Sequence, residues 1–204
     1  LNGHDTAAVG EGIADGRRRK GERRRRLLLD ATMRVIERDG VAAVSQRRVA
    51  AEAGVPPSTV TYYHATVDDL LVDTLTRVND TYVAALAAVP EDADAALRAL
   101  AGMIAVGSGP ERAQVMAECE LFLLAARRPA LRPQIERWNR AVDAFLAPYL
   151  PRPEDRAGVG AAVDGLFVRA CADPELTAED VYRTLSRLVS RVPRSAREGS
   201  PERR

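Results

Sequence analysis

Apolar residues recur along this chain every three or four positions, the period of helices that bury one face. The segment RRLLLDATMRVIERDG reads as an apolar first helix, and Gly40 closes it. In Gln46–His64, Val49, Ala50 and Ala53 form a short apolar stripe with Arg47, Arg48 and Glu52 outside it. Ser45 is placed to cap that helix through its hydroxyl, and Gly54 to end it in the left-handed conformation. Val55 plugs the turn, Pro56 and Pro57 stop the first helix, and Pro57 suits the first turn of a second. Val60 then returns to the core. Helix, glycine turn, helix is the helix-turn-helix pattern, and small Ala50 lets the two helices cross closely.

Beyond this point the pattern is helix after helix. Leu70, Leu71, Thr74, Leu75, Val78, Tyr82 and Leu86 predict one long helix over Val67–Val89, stopped by Pro90. Asp92 caps a helix reaching about Val106, with Gly107-Ser108-Gly109-Pro110 after it. Glu111–Ala126 carries Val115, Met116, Cys119, Phe122 and Leu123 along one face, with Leu121 and Leu124 opposite, so its latter half is expected to be buried all round. Leu131–Leu150, Glu154–Cys171 and Thr177–Val192 follow, the first with Ile135, Trp138, Val142, Phe145 and Leu146. No segment alternates with the period of a strand, so the fold class expected is all-α.

Charge changes the picture. The whole chain carries a formal +1, but residues 17–64 hold twelve Arg or Lys, ten of them in Arg17–Lys20, Arg23–Arg26, Arg34 and Arg38, against five acids. A basic block hidden in a near-neutral chain points to a polyanion partner, with a merely solubilising arm as the plainer alternative. Ser58, Thr59, Thr61, Tyr62 and Tyr63 give the second short helix an uncharged hydroxyl face, suited to phosphate oxygens, base edges and the thymine methyl. One of the two tyrosines is expected to tuck partly under the domain. His64, at the bend, reads as a packing residue, with a DNA contact or a metal ligand as the alternative. The DNA-contact set is therefore Arg23, Arg24, Ser45, Arg47, Arg48, Pro57, Ser58, Thr59, Thr61, Tyr62 and Tyr63.

Other chemistries find little support. Cys119 and Cys171 sit among apolar residues as buried free thiols, and two histidines, His4 and His64, make a metal site improbable. A phosphate loop, a nucleophile elbow and a paired-acid motif are all missing, which argues against an enzyme and against a bound cofactor. Apolar runs such as Val83–Val89 and Leu121–Ala126 fall well short of the roughly 20 residues of a membrane span. No secretory-type apolar leader precedes the arginines, so a cytoplasmic protein is expected.

Residues 23–71 resemble the DNA-binding domain of TetR-family, or tetracycline-repressor-like, transcriptional regulators. Gly40, Ala50, Ala53, Gly54, Val55, Thr59, Tyr62, Tyr63, Asp69 and Leu70 stand at the family's positions. Two depart: His64 replaces a usual Phe, and Val67 replaces a frequent Lys that reaches phosphate. Asp164-Gly165-Leu166 and the segment ECELFLLAARRPALR resemble the family's later helices more loosely. The resemblance implies a ligand-responsive regulator, a repressor by expectation, that binds a palindromic operator as a homodimer and is released by a small-molecule effector. A regulator without an effector, or a helical module that has lost DNA recognition, stays open beside it.

The organisation that follows is a disordered basic arm over 1–21, a helix-turn-helix domain over 22–66, a helical effector-binding and dimerisation domain over 67–192, and a disordered tail over 193–204. Met103, Met116, Glu120, Phe122, Trp138 and Phe145 are the candidate effector residues, with Glu118 as a second polar anchor; plain core packing, or pairing of the glutamates with Arg112 or Arg127, is the alternative. Val159, Val163, Leu166, Phe167 and Ala170 on one helix, with Leu185 and Leu188 on the next, form stripes that fit either a dimer interface or an internal hairpin. Two-fold reading of DNA favours the interface. Gly158, Gly160 and Gly165 suggest close backbone approach there.

Overall fold

The computed structural model describes residues 5–191, with side chains from Gly16 onward except Arg17. Among the described residues the secondary structure is helical throughout: α1 Asp5–Asp39, α2 Gln46–Ala53, α3 Pro57–Tyr63, α4 Val67–Ala87, α5 Ala93–Ala105, α6 Arg112–Leu124, α7 Arg132–Leu146, α8 Pro153–Ala172 and α9 Ala178–Arg191. Short 3-10 turns lie at Val41–Ala43, Val106–Ser108 and Pro129–Leu131.

The first correction concerns the N-terminal arm. Residues 5–21, expected to be disordered, continue α1. Arginine and alanine are good helix formers, and extending a helix already nucleated by a packed stretch costs far less than starting one. The expected tail lies outside the described residues.

The chain divides into two compact units. One contains the residues through Tyr82 together with Glu111–Arg137; the other contains Val83–Pro110 and the chain from Trp138. This differs from a boundary at residue 66. The reason is α6: its Ala117 and Leu121 are fully buried in one core with Leu28, Val35 and Ile36 of α1, Val49 and Ala50 of α2, Val60 of α3 and Leu70, Leu71 and Leu75 of α4. Burying a leucine of this kind stabilises by about 1.5–3 kcal/mol, so α6 is integral to the first unit. Its opposite side is not covered there. Leu123 is 65% exposed and Met116 40%, against the expectation of a helix buried all round.

In the second unit α5 packs chiefly on α9, and both meet α8. Asp92 caps α5 by accepting from the Ala95 N–H at 2.9 Å. Ala96, Leu97, Leu100 and Ile104 of α5 are buried, as are Trp138, Val142, Phe145 and Leu146 of α7. The Trp138 indole N–H donates to Asp164 at 2.8 Å, and its ring meets Phe167 edge-on at 6.0 Å. On the surface the Arg98 guanidinium lies 3.8 Å from the centre of the Tyr182 ring and bonds Asp94 and Glu179, pinning α5 to α9.

The stripes of α8 and α9 need a second correction. Val159, Val163, Leu166, Phe167, Ala170 and Leu185 are buried within a single chain, so they are core of the unit and not an outer face. Periodicity says that a face is covered, not by what; here the helices of the same chain cover it. Leu188 stays 37% exposed and Val168 52%. Gly158 and Gly165 face open space among the described residues, whereas Gly160 sits near Val142 of α7.

Candidate nucleic-acid interface

The α2–α3 pair is fixed by local chemistry at each end. Ser45 adopts extended backbone angles and its hydroxyl accepts the Arg48 N–H at 3.3 Å, satisfying a first-turn donor. Gly54 has φ 65°, where a side chain would strain the backbone, and its N–H returns to the carbonyls of Ala50 and Ala51. Val55 N–H also reaches Ala50 O at 3.0 Å, which closes the turn. Pro56 and Pro57 then open α3 without forfeiting a needed donor.

Val60 is the one fully buried side chain of α3. Ser58, Thr61 and Tyr62 are exposed, while Thr59 and Tyr63 are half-buried. Tyr62 is 82% exposed and projects from the unit, meeting only the edge of Tyr63 at 5.0 Å among ring contacts. The Tyr63 hydroxyl lies beside Gly21 of α1, so the tyrosines divide as the sequence predicts, one outward and one partly tucked in. Thr61 donates its hydroxyl to Pro57 O at 3.3 Å, leaving oxygen lone pairs to accept.

His64 is buried, as expected of a packing residue, but it is also bonded: its Nε2 lies 2.8 Å from Asp73 of α4. The same carboxylate oxygen accepts from Arg25 Nε at 2.9 Å. Gln46, at the start of α2, donates to the carbonyls of His64 and Ala65 at 2.8 and 2.9 Å. Thr66 and Asp69 form a reciprocal capping box at the head of α4.

The basic block is only partly available. Arg34 and Arg38 both hold Glu52, and their hydrogen bonds, Arg34's first, keep its carboxyl below the usual range. Arg48, expected on DNA, bonds Asp39 at 3.2 Å. Arg23, Arg24 and Arg47 are exposed and make no ion pair with the described residues. Sequence reasoning missed Glu52 and Asp73 because they meet their arginines through the fold and not through a local motif; Asp39 pairs both with its neighbour Arg38 and, through the fold, with Arg48. At Val67, where a phosphate-reaching Lys is absent, the next residue Asp68 pairs with Arg128.

The effector candidates fall into both units. Met116, Glu120 and Phe122 belong to the first, Met103, Trp138 and Phe145 to the second. Glu120 is not a free anchor: its carboxylate accepts the Val41 N–H at 2.8 Å and so caps the 3-10 turn between α1 and α2. Glu118 accepts from the Tyr82 hydroxyl at 2.7 Å and from Gln114 at 2.9 Å. Phe145 is buried against Tyr149. Burial in its helix surroundings raises the Asp164 carboxyl above its ordinary value, partly offset by the Trp138 N–H. Among the described residues no cluster fit for a metal ion occurs, and no helix is long and apolar enough to cross a membrane.

Comparisons with known proteins agree with this geometry. Residues 28–74 match the model for bacterial regulatory proteins of the tetR family, and residues 91–191 the model for a tetracyclin repressor-like C-terminal domain. The HTH-type transcriptional regulator BetI of Rhizobium meliloti is 30% identical over 164 residues, covering 72% of this chain and 77% of its own. The multidrug binding protein EbrR, solved with ethidium, is 37% identical with a TM-score of 0.69, over 81% of this chain and 97% of that one. A TetR-family member from Streptomyces coelicolor A3 is 38% identical with a TM-score of 0.70, again over 81% and 97%.

Proposed function

Because the chain belongs to the TetR family of transcriptional regulators, we propose that it acts as a homodimeric repressor, holding a palindromic operator until a small organic molecule releases it. The observation that carries the DNA-binding reading is the outer face of α3: a short helix opened by a proline pair and seated on buried Val60, whose exposed groups are hydroxyls, led by Tyr62. In this reading α3 enters the major groove with Ser58, Thr59, Thr61 and Tyr62, and Pro57 sets its entry. Arg23, Arg24 and Arg47 neutralise phosphates and release counterions, which makes the affinity salt-dependent. Binding to duplexes selected from a random pool, followed by fluorescence anisotropy across a salt series, tests it. Selection of no sequence at all would refute the reading.

Two copies are needed to read two half-sites. With the apolar stripes of α8 and α9 turned inward, the surface we assign to the dimer is the outer side of α8, with Gly158, Gly165 and Val168, together with Leu188 where the stripe of α9 becomes exposed. Glycines without neighbours and exposed aliphatics fit the close approach of a second copy. Val168→Glu together with Leu188→Glu should leave a folded monomer in sedimentation, and an unchanged dimer would refute this face.

For the effector we propose a lipophilic organic cation. Two features support the class: the half-buried Asp164 carboxylate bonded to the Trp138 indole, whose ring also meets Phe167, and the similarity to EbrR, solved with ethidium. Release requires that the ligand bind the DNA-free arrangement more tightly than the DNA-bound one. Ethidium fluorescence should rise on titration, and addition of ethidium should lower operator affinity. Binding without any effect on DNA affinity would favour a regulator controlled by other means.

A further inference from the structure

We infer that Asp73 is a positioning residue for DNA reading: through His64 it fixes the end of α3 against α4, and through Arg25 it ties both to α1. This rests on the DNA-binding role proposed above and adds to it the device that sets the reading angle.

α3 constrains itself weakly. It has seven residues and one fully buried side chain, Val60, so a small rotation about that point would swing Tyr62 with little loss of packing. The restraint lies at residue 64. The His64 N–H closes α3 on Val60 O at 2.8 Å, and its carbonyl accepts from Gln46 of α2. A carboxylate only accepts, so the ring must donate Nε2–H to Asp73, at 2.8 Å. The ring is 1% exposed and its Nδ1 has no hydrogen-bond partner. An apolar ring would fill the same slot without leaving a buried nitrogen unsatisfied. What an apolar ring lacks is a directional bond to α4. That bond is the property by which this side chain differs from a plain core residue.

Arg25 gives the second half of the argument. It belongs to the basic run that composition assigns to DNA, yet its Nε donates to Asp73 at 2.9 Å. Asp73 is 24% exposed, and what sets this pair apart is that its carboxylate oxygen is shared with the buried His64 ring. Four helices, α1 to α4, thus meet at His64 and Asp73.

The test compares Asp73→Ala, Asp73→Asn and Arg25→Met with the unaltered chain, on a duplex the unaltered chain selects and on a random duplex. Thermal melts by circular dichroism establish that each variant is folded at the assay temperature. Asp73→Ala should lower affinity for the selected duplex by about tenfold or more while affinity for the random duplex is not lowered. Asp73→Asn, which keeps an oxygen for the His64 N–H, should recover most of the loss. Arg25→Met should keep the salt slope of the unaltered chain, since a lost phosphate contact would flatten it by about 1. Selected and random affinities falling together would indicate fewer folded molecules and overturn the inference. So would unchanged operator binding in Asp73→Ala, or a loss in Asp73→Asn as large as in Ala. A flatter slope in Arg25→Met would make Arg25 a DNA contact and remove the tie to α1. Failure of the unaltered chain to select any duplex would instead strike at the DNA-binding role itself.

Discussion

Tyr62 and Tyr63 are adjacent and chemically identical, yet the structure assigns them opposite sensitivities. Tyr62 is 82% exposed, and its ring contact is one edge-on meeting with Tyr63 at 5.0 Å. Truncating it to alanine removes little buried area and one aromatic contact worth at most about 1 kcal/mol at such an exposed site. Tyr63 is half-buried with its hydroxyl beside Gly21, so the same truncation there leaves a partial cavity and costs about 2 kcal/mol of stability. On DNA the order reverses. A base-edge or backbone contact from Tyr62 is worth about 1–3 kcal/mol, a factor of about 5 to 150 in affinity. Chemical denaturation gives the first quantity and anisotropy on the selected duplex the second. Tyr62→Ala should unfold almost as the unaltered chain does and bind DNA markedly more weakly, and Tyr62→Phe separates the hydroxyl from the ring. Operator affinity within about twofold of the unaltered chain would refute the assignment of α3's outer face, whatever Tyr63→Ala does.

Other consequences follow from single features. Gly54→Ala meets no atom, so its cost is the backbone's alone at φ 65°, about 1 kcal/mol by denaturant unfolding. Arg47→Ala should weaken selected and random duplexes alike and flatten the salt slope by about 1, as expected for an unpaired surface guanidinium on phosphate. Asp180 is held down to about 2 by the Thr177 hydroxyl first, then Arg183 and the Thr177 N–H. Its folded value lies below the unfolded one, so its contribution is present above about pH 4 and is lost as pH falls towards 2; a carboxyl chemical-shift titration reads the value directly. Asp164 runs the other way. Burial raises its carboxyl, so its neutral form is favoured in the fold, and Asp164→Asn, still accepting from Trp138, should raise the melting midpoint while reducing ethidium binding.

The parts of the fold that were legible in the chain are those decided within a few residues. Ser45, Gly54 and Asp92 act as the caps their chemistry predicts, and the proline pair opens α3 where it should. Partner choice was not legible. Leu121 and Ala117 look like any helical stripe, and only the folded chain shows that they complete the core beneath the DNA-reading helices. Val163, Leu166 and Phe167 likewise announce a covered face without saying whether another subunit or α5 and α9 cover it. The charge of the N-terminal arginines suggests a solvated arm, but their helix propensity extends α1 instead. A carboxylate on an apolar helix invites the reading of Glu120 as a ligand anchor; an amide 79 positions away claims it.

The pairing of the basic block has a consequence for how affinity and selectivity divide. Arg25, Arg34, Arg38 and Arg48 are held by Asp73, Glu52 and Asp39, so part of the basic block in residues 17–64 already has acidic partners. Their charge raises DNA affinity only by as much as the acids leave uncompensated. Arg23, Arg24 and Arg47, exposed and without an ion pair among the described residues, lie on α1 and α2, while α3, which carries the exposed hydroxyls, holds no charge. A guanidinium reading guanine is therefore not available from α3, and discrimination there has to come from hydroxyls, from ring contact with the thymine methyl and from the helix angle. On the contacts proposed above, attraction to the polyanion and choice among sequences rest on different helices. For that reason salt should change the affinity for all duplexes together, whereas a change at Tyr62 or Asp73 should alter the preference among them.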